Sequence, residues 1–218
     1  MKSKTVARFG IIGALIVAAC SLDALMSIAL FPTVRVAVSV LIISITVMQL
    51  FDFKTALYAG TVWGLVSFVF AYISPNLASP AFRNPLVSVL PRMAAGVAAY
   101  FVFYGMKKWL KGGERWREYT VRCVSAIAAV LTNTGLVITA MMLVSGQDVL
   151  TKLLAVIVST NFIVEISTTP VVVPVVSYVV WRVLKRLGML ETAKQPVATD
   201  ANGDAENMND QDTEQRPE

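Results

Sequence analysis

The chain has 218 residues, of which 56% are hydrophobic and only 15% are charged, and its mean hydropathy is +0.66. A soluble domain of this size carries about 25% charged residues, so the composition excludes a soluble globular enzyme. The chain has no histidine and only two cysteines, Cys20 and Cys123, which excludes Ser-His-Asp, Cys-His and HExxH sites and leaves too few thiols for a zinc site. It also has no GxxxxGK[ST] loop with which to use ATP itself.

The apolar residues fall into six segments. A helical membrane span needs about 20 mostly apolar residues, and candidates lie at about 9–31, 34–50, 56–73, 85–106, 119–144 and 149–187. The last segment is too long for one span, so we expect a short surface-lying approach to it or a kink at Pro170 or Pro174. Two short spans are the alternative, and they would place the carboxyl terminus outside.

The net charge of +5 is unevenly distributed along the chain. Residues 1–190 contain 17 Lys and Arg against 6 Asp and Glu, a net of +11, whereas residues 191–218 contain 2 against 8, a net of −6. The polar tail cannot bury enough apolar surface to offset its ordering entropy. We expect a membrane domain over 1–190 and a disordered acidic cytoplasmic tail over 191–218. Nucleic acid is disfavoured as a partner, because the basic residues flank apolar spans instead of forming a stripe.

The basic residues also predict the orientation. With six spans and both termini in the cytoplasm, 13 of the 17 Lys and Arg of residues 1–190 lie inside and four lie outside: Arg35, Arg83, Arg92 and Lys152. This distribution follows the positive-inside rule. The sequence therefore predicts an all-α, multi-pass protein of the cell membrane, with six transmembrane helices and cytoplasmic amino and carboxyl termini.

Small residues recur every fourth position on two of these helices. They form two ridges, Gly10, Ala14, Ala18 and Ala56, Gly60, Gly64. Such ridges let helices approach closely in lipid. Each ridge serves either packing within the bundle or docking of another membrane subunit. The spacing alone does not distinguish these two roles.

The first segment also contains a possible processing signal. Residues 17–20, Val-Ala-Ala-Cys, resemble a lipoprotein cleavage box after a basic amino terminus. A polar linker usually follows such a box, whereas this sequence stays apolar through residue 31. We therefore expect an uncleaved first span.

Five polar residues lie at middle or outer membrane depth, where they are costly and mark functional sites. They are Asp23, Arg92, Asn133, Asn161 and Glu165. Asn161 and Glu165 are four residues apart and share a helix face. Together the five favour a pocket loaded from outside. An ion pair of Arg92 with Glu165 or Asp23 that only holds the helices together is the alternative.

The outer segment 74–85 has three prolines and two asparagines, which is turn chemistry and not helix. Phe82, with Tyr72 nearby, would supply an apolar cap if this segment is a lid. A plain connector is the alternative.

These features resemble the substrate-binding S subunit of energy-coupling-factor (ECF) vitamin transporters. The resemblance covers about residues 5–187. It rests on Ala14-xxx-Ala18, on the run Asn-Pro-Leu-Val-Ser-Val-Leu-Pro-Arg at 84–92, on Thr-Asn-Thr at 132–134 and on an Asn-to-Glu stretch at 161–165. The chain looks most similar to the pantothenate-type branch. Related sequences tend to have Asn-Gly-Ile-Pro-Glu where this one has Asn-Phe-Ile-Val-Glu, so the vitamin is left open.

The resemblance implies how the protein works. An S subunit binds a vitamin from outside, associates with a transmembrane T subunit and two ABC ATPases, and topples in the membrane to release the vitamin inside. Gly10, Ala14 and Ala18 would then meet the T subunit. Neither a metal nor another cofactor is expected in the S subunit.

If the vitamin is pantothenate, it brings one carboxylate, two hydroxyls and an amide. Arg92 is expected to clamp the carboxylate, and Asn133 and Asn161 to serve the amide and hydroxyls. Glu165 would orient Arg92 or accept a hydroxyl proton. Two alternatives stay open: another vitamin, such as folate or cobalamin, in the same role, and a membrane scaffold protein without a pocket. An intramembrane enzyme is disfavoured by the missing histidine and paired carboxylates.

Overall fold

A computed structural model describes residues 2–30, 37–73, 79–110, 115–145 and 161–186. Within these ranges the chain is all-helical and has no strand. The helices are α1 (Lys2–Leu30), α2 (Val38–Leu50), α3 (Phe53–Ile73), α4 (Ser79–Phe82), α5 (Pro85–Ser88), α6 (Leu90–Trp109), α7 (Arg115–Ser145) and α8 (Ile163–Arg186). The predicted tail at 191–218 and the predicted approach to the last span fall outside the described residues.

Five helical stretches are long and apolar enough to cross a membrane. They are Thr5–Ser27, Phe53–Ile73, Pro85–Trp109, Trp116–Val144 and Ile163–Arg186. Helix α2 is apolar but has only 13 residues, a length of about 20 Å against a hydrocarbon core of about 30 Å. The six predicted apolar segments thus correspond to five candidate spans and one shorter helix.

Contacts between helices define two ends of the bundle. The amino-terminal end holds the Arg8–Asp52 ion pair, at 3.3 Å, and the bond from the Tyr104 hydroxyl to the Phe51 carbonyl, at 3.3 Å. The beginning of α1, the α2–α3 turn and the last turns of α6 therefore lie together. The opposite end holds the beginnings of α2 and α6. The sequence predicts that the amino-terminal end faces the cytoplasm.

Asp23 of α1 caps the beginning of α2. The residue preceding α2, Ala37, gives no side-chain cap. Instead the Asp23 carboxylate accepts hydrogen bonds from the backbone N–H groups of Ser39, at 3.0 Å, and Val40, at 2.9 Å. The first N–H groups of a helix have no partner within the helix, and a carboxylate is a strong acceptor for them. Asp23, which the sequence places with the pocket residues, thus joins two helices.

The two ridges of small residues have opposite surroundings. Ala56, Gly60 and Gly64 are buried. A Cβ on Gly60 would lie 2.6 Å from the Arg92 carbonyl oxygen, and one on Gly64 would lie 2.7 Å from Val89 Cα. This ridge therefore packs inside the bundle, against the α5–α6 junction.

The ridge on α1 faces outward instead. Gly10, Ala14 and Ala18 are all exposed, and a Cβ on Gly10 would meet no atom within 4 Å. Large apolar side chains surround this ridge, including Ile11, Leu15 and Leu22. The α1 ridge thus does not contribute to packing within the described bundle.

Helix α8 contains two prolines. It continues unbroken past Pro170 and Pro174, and the Cys123 thiol of α7 donates to the Pro170 carbonyl at 2.8 Å. Asn161 and Phe162 form a wide π-type turn just before α8. Such turns recur at functional sites.

The segment before α6 is more helical than its prolines predict. Ser79–Phe82 forms one helical turn and Pro85–Ser88 forms another, with the Asn84 side chain accepting from the Leu86 N–H at 2.9 Å. The prediction of turn structure without helix is therefore wrong for these residues. Residues 74–78 lie outside the described part of the chain.

Replacing Gly60 with alanine should destabilise the bundle by about 1–3 kcal/mol, because the new methyl overlaps backbone that cannot move independently. Thermal unfolding of the purified protein in detergent measures the change. Gly10→Ala is the matched control, since its methyl enters open space. Equal unfolding midpoints for the two variants would contradict the packing of α3 against the α5–α6 junction.

Replacing Asp23 with alanine should cost about 1–2 kcal/mol, because the amides at the beginning of α2 lose their acceptor. Ser21→Ala in the same helix is the control, since the Ser21 hydroxyl bonds only its own helix, at the Val17 carbonyl. The same unfolding assay compares the two. A loss no larger than that of Ser21→Ala would show that the cap contributes nothing.

Candidate functional site

Arg92 is the buried cation of the candidate site, with 7% of its surface exposed. Pro91 has no N–H, so the carbonyl of Val87, four residues earlier, lacks its usual helical donor. The Arg92 Nη1 group donates to this carbonyl at 3.0 Å and to the Ser88 carbonyl at 2.8 Å. The guanidinium is thereby held back over the α5–α6 junction.

Two aromatic rings enclose the guanidinium. Its Cζ lies 4.8 Å from the ring centroid of Phe82 and 5.6 Å from that of Trp63. Cations over aromatic faces are stabilised by the ring quadrupole, most strongly where water is excluded. Phe82, predicted as an apolar cap, thus directly contacts the predicted carboxylate clamp.

Glu165 lies on α8 with only 6% of its surface exposed. The charges of Arg92 and Asp23 both act on its carboxyl group. The structure therefore brings the three ionisable residues predicted at outer depth into one electrostatic neighbourhood. One cation and two carboxyl groups lie in this neighbourhood, which partly offsets the cost of burying each charge.

Asn133 of α7 is 7% exposed, and its Oδ1 finds no hydrogen-bond partner among the described residues. One and two turns further along α7, Val137 and Met141 pack against Val87 and Phe82. The Asn133 face of α7 thus looks toward the segment that positions Arg92. A buried amide oxygen without a donor costs free energy, and a ligand N–H or O–H would supply that donor.

Asn161 is half-buried in the π-type turn, one helical turn before Glu165. Asn161 already has an interaction within the structure. That Asn161 shares a face with Glu165, and that it contacts a ligand, are predictions from the sequence.

Two further buried residues, Trp63 and Thr169, are not predicted as site residues from the sequence. Trp63 is almost fully buried below Arg92, and Thr169, one turn after Glu165, is fully buried with no partner for its Oγ1 among the described residues. Thr169 could have been predicted from the sequence, because it lies four residues after Glu165 on the same helix face. Nothing in the sequence distinguishes Trp63 from an interfacial tryptophan.

The site combines a buried cation, two aromatic faces, an amide oxygen lacking a donor and a carboxyl group. This set suits a small organic acid that also carries hydroxyl or amide groups. In the described residues no group of three or more Cys, Asp or Glu is placed to hold a metal ion.

Comparison with known proteins gives a partial match. No family model matches the sequence. The chain is similar to the pantothenic acid transporter PanT of Lactococcus lactis subsp. cremoris, with 31% identity over 126 residues, or 50% of this chain and 59% of that protein. The match thus spans less than two thirds of the relative. A transporter relative and five apolar helices fit a membrane transport protein.

Proposed function

We propose that this chain is the substrate-capture (S) subunit of an ECF-type importer, and that it binds pantothenate from outside the cell membrane. The observation that carries the proposal is the buried Arg92 guanidinium, which lies between the rings of Trp63 and Phe82. A distant relative that transports pantothenic acid supports this ligand.

Arg92 is the carboxylate clamp in this proposal. Its bonds to the Val87 and Ser88 carbonyls fix the plane of the guanidinium before any ligand arrives. Preorganisation of this kind reduces the ordering cost of binding. Charge-assisted bonds from an arginine to a carboxylate are stronger than neutral ones, so the acid group of pantothenate is held here.

The other polar residues form hydrogen bonds with the hydroxyl and amide groups of the ligand. Asn133 Oδ1 accepts from a hydroxyl or from the amide N–H, and Asn161 supplies a second amide group. Glu165 would repel a nearby ligand carboxylate if it also bore a charge. Its role is therefore to orient Arg92 or to accept a hydroxyl hydrogen, on the side away from the ligand's acid group.

The ligand is bound and released without a chemical step, so the chain is not an enzyme in this proposal. Energy comes from partners: a transmembrane T subunit and two ABC ATPases. The exposed ridge of Gly10, Ala14 and Ala18 is the docking face for the T subunit, since it offers a close approach to another helix.

One difference from related sequences leaves another vitamin open as the ligand. Residues 161–165 read Asn-Phe-Ile-Val-Glu, where related sequences tend to have Asn-Gly-Ile-Pro-Glu. Folate or cobalamin in the same role is therefore the alternative, and competition by a panel of vitamins separates them.

Replacing Arg92 with glutamine should weaken binding of labelled pantothenate by about 10–100-fold, since a hydrogen bond to a charged group contributes about 1.5–3 kcal/mol. The corresponding alcohol, which lacks the carboxylate, should lose little affinity. Equilibrium binding to the purified protein measures both ligands.

Arg83→Gln is the control for Arg92→Gln, because Arg83 is an exposed arginine over the Tyr72 ring, at 5.2 Å, before the same helix. It should leave both affinities unchanged. Equal losses for the acid and the alcohol in Arg92→Gln would remove the clamp assignment. A folded wild-type protein that binds no vitamin would overturn the proposed function and favour the scaffold alternative.

Replacing Ala14 with leucine should abolish co-purification with the T subunit and the ATPases, while pantothenate binding stays intact. The added bulk keeps the helices apart at a face that does not touch the site. Gly135→Leu on α7 is the control, since that position is exposed and equally open. A complex that survives Ala14→Leu would place the partner elsewhere.

A further inference from the structure

Glu165 is a buried carboxyl group of the candidate site, with 6% of its surface exposed. In the described residues, the charges that act on it are those of Arg92 on α6 and Asp23 on α1. Helix α2 has no ionisable side chain, and α7 has none beyond residue 123. The other charged residues of α1, α3 and α6 belong to the amino-terminal end of the bundle, and the tyrosines of α3 and α6 stay neutral below about pH 10. Three ionisable groups therefore determine the charge of this region.

Hydrogen bonds between helices place Arg92 and Glu165 at similar depths in the bundle. The Ser125 hydroxyl of α7 donates, at 2.8 Å, to an α6 carbonyl seven residues after Arg92. The Cys123 thiol of α7 donates, at 2.8 Å, to an α8 carbonyl five residues after Glu165. With a rise of about 1.5 Å per residue, the backbones of Arg92 and Glu165 differ by about 6 Å along the bundle. This geometry agrees with the action of the Arg92 charge on Glu165.

Asp23 of α1 lies at this depth too. Its two carboxylate oxygens accept the backbone N–H groups at the beginning of α2, the second of them from Val40. Nine residues after Val40, the Gln49 side chain donates to the Arg122 carbonyl of α7 at 3.0 Å. Val40 therefore lies about 13 Å outward from the level of Arg122, and Glu165 lies about 9 Å outward from it. Asp23 thus belongs to the same layer of the bundle as Glu165.

A ligand carboxylate makes the charge of this layer unfavourable. With both carboxyl groups ionised, one cation and two carboxylates already give a net charge of about −1. A ligand carboxylate bound to Arg92 adds a third negative charge in a region where little water is present to screen it. Uptake of one proton by the layer cancels the added charge. The anion and the proton can then enter together without changing the net charge.

Glu165 is the one of these three groups that is suited to accept the proton. The Arg92 guanidinium is already fully protonated. Both oxygens of Asp23 accept backbone N–H groups, and such bonds favour the ionised carboxylate. In Glu165 a new O–H bond forms on one carboxyl oxygen, and the proton comes from water of the medium. The neutral acid then offers a ligand an O–H donor as well as an acceptor.

We propose that Glu165 is a proton-binding residue, which takes up one proton from the medium when a carboxylate ligand binds to Arg92. The site therefore captures two species, an organic anion and a proton. The position of the ligand carboxylate at Arg92 rests on the proposed function. The choice of Glu165 rests on the depth, burial and hydrogen bonds of the three ionisable groups.

The test measures equilibrium binding of labelled pantothenate to the full-length protein in detergent, between about pH 5.5 and about pH 8.5. The carboxyl group of the ligand, with an ordinary pKa of about 4, stays ionised throughout. The dissociation constant should rise with pH, by up to about tenfold per pH unit. The corresponding alcohol should bind with an affinity that does not depend on pH. Calorimetry in two buffers with different ionisation heats should show uptake of up to about one proton with the acid and none with the alcohol.

Glu165→Gln replaces the carboxyl group with a neutral side chain of similar shape, so the pH dependence and the proton uptake should both disappear. Glu118→Gln is the matched control, because Glu118 is a carboxylate in the first turn of α7, at the opposite end of the bundle. It should keep both effects.

Pantothenate binding that does not change with pH, or a pH dependence that survives Glu165→Gln, overturns this inference and leaves the proposed function standing. If Glu165→Gln does not fold, the proton count of the wild-type protein decides, and equal counts for the acid and the alcohol overturn the inference. A folded wild-type protein that binds no vitamin overturns the proposed function and this inference with it.

Discussion

The close approach of α3 to the α5–α6 junction determines the geometry of the whole site. Gly60 and Gly64 let the backbone of α6 come within a distance that a single methyl group would prevent. Trp63 lies on the same face of α3, so its ring reaches the Arg92 guanidinium. In lipid, hydrophobicity gives no preference for one helix pair over another. Because Gly60 and Gly64 have no side chains, α3 can pack closely against the α5–α6 junction, where Arg92 is held.

The sequence around Pro91 adds the local part of that geometry. Because proline cannot donate, it ends the regular hydrogen-bond pattern between α5 and α6 and leaves the Val87 carbonyl for the next residue's side chain. The proline ring thus frees the carbonyl that helps to hold the Arg92 guanidinium. A cation buried at membrane depth needs partners within the protein, since the water that would otherwise solvate it is absent.

Much of this arrangement follows from the sequence, because apolar runs make polar residues at membrane depth conspicuous. Arg92, Asn133 and Glu165 stand out in that way and prove to be buried. What the sequence does not resolve depends on neighbours. The ridges on α1 and α3 have the same spacing, yet Gly10 is exposed and Gly60 is buried. The spacing of small residues predicts a helix face without bulky side chains, whereas the tertiary structure determines whether another helix packs against that face.

The cap that Asp23 gives to α2 has a consequence for biogenesis. Helix α2 is too short and too poorly capped on its own to enter a bilayer cheaply, because unsatisfied amides cost several kcal/mol in hydrocarbon. The acceptor for those amides is on the preceding helix. Helix α1, which carries this acceptor, is synthesised before α2. The Asp23 carboxylate that caps α2 has therefore already been synthesised when the first turn of α2 leaves the ribosome.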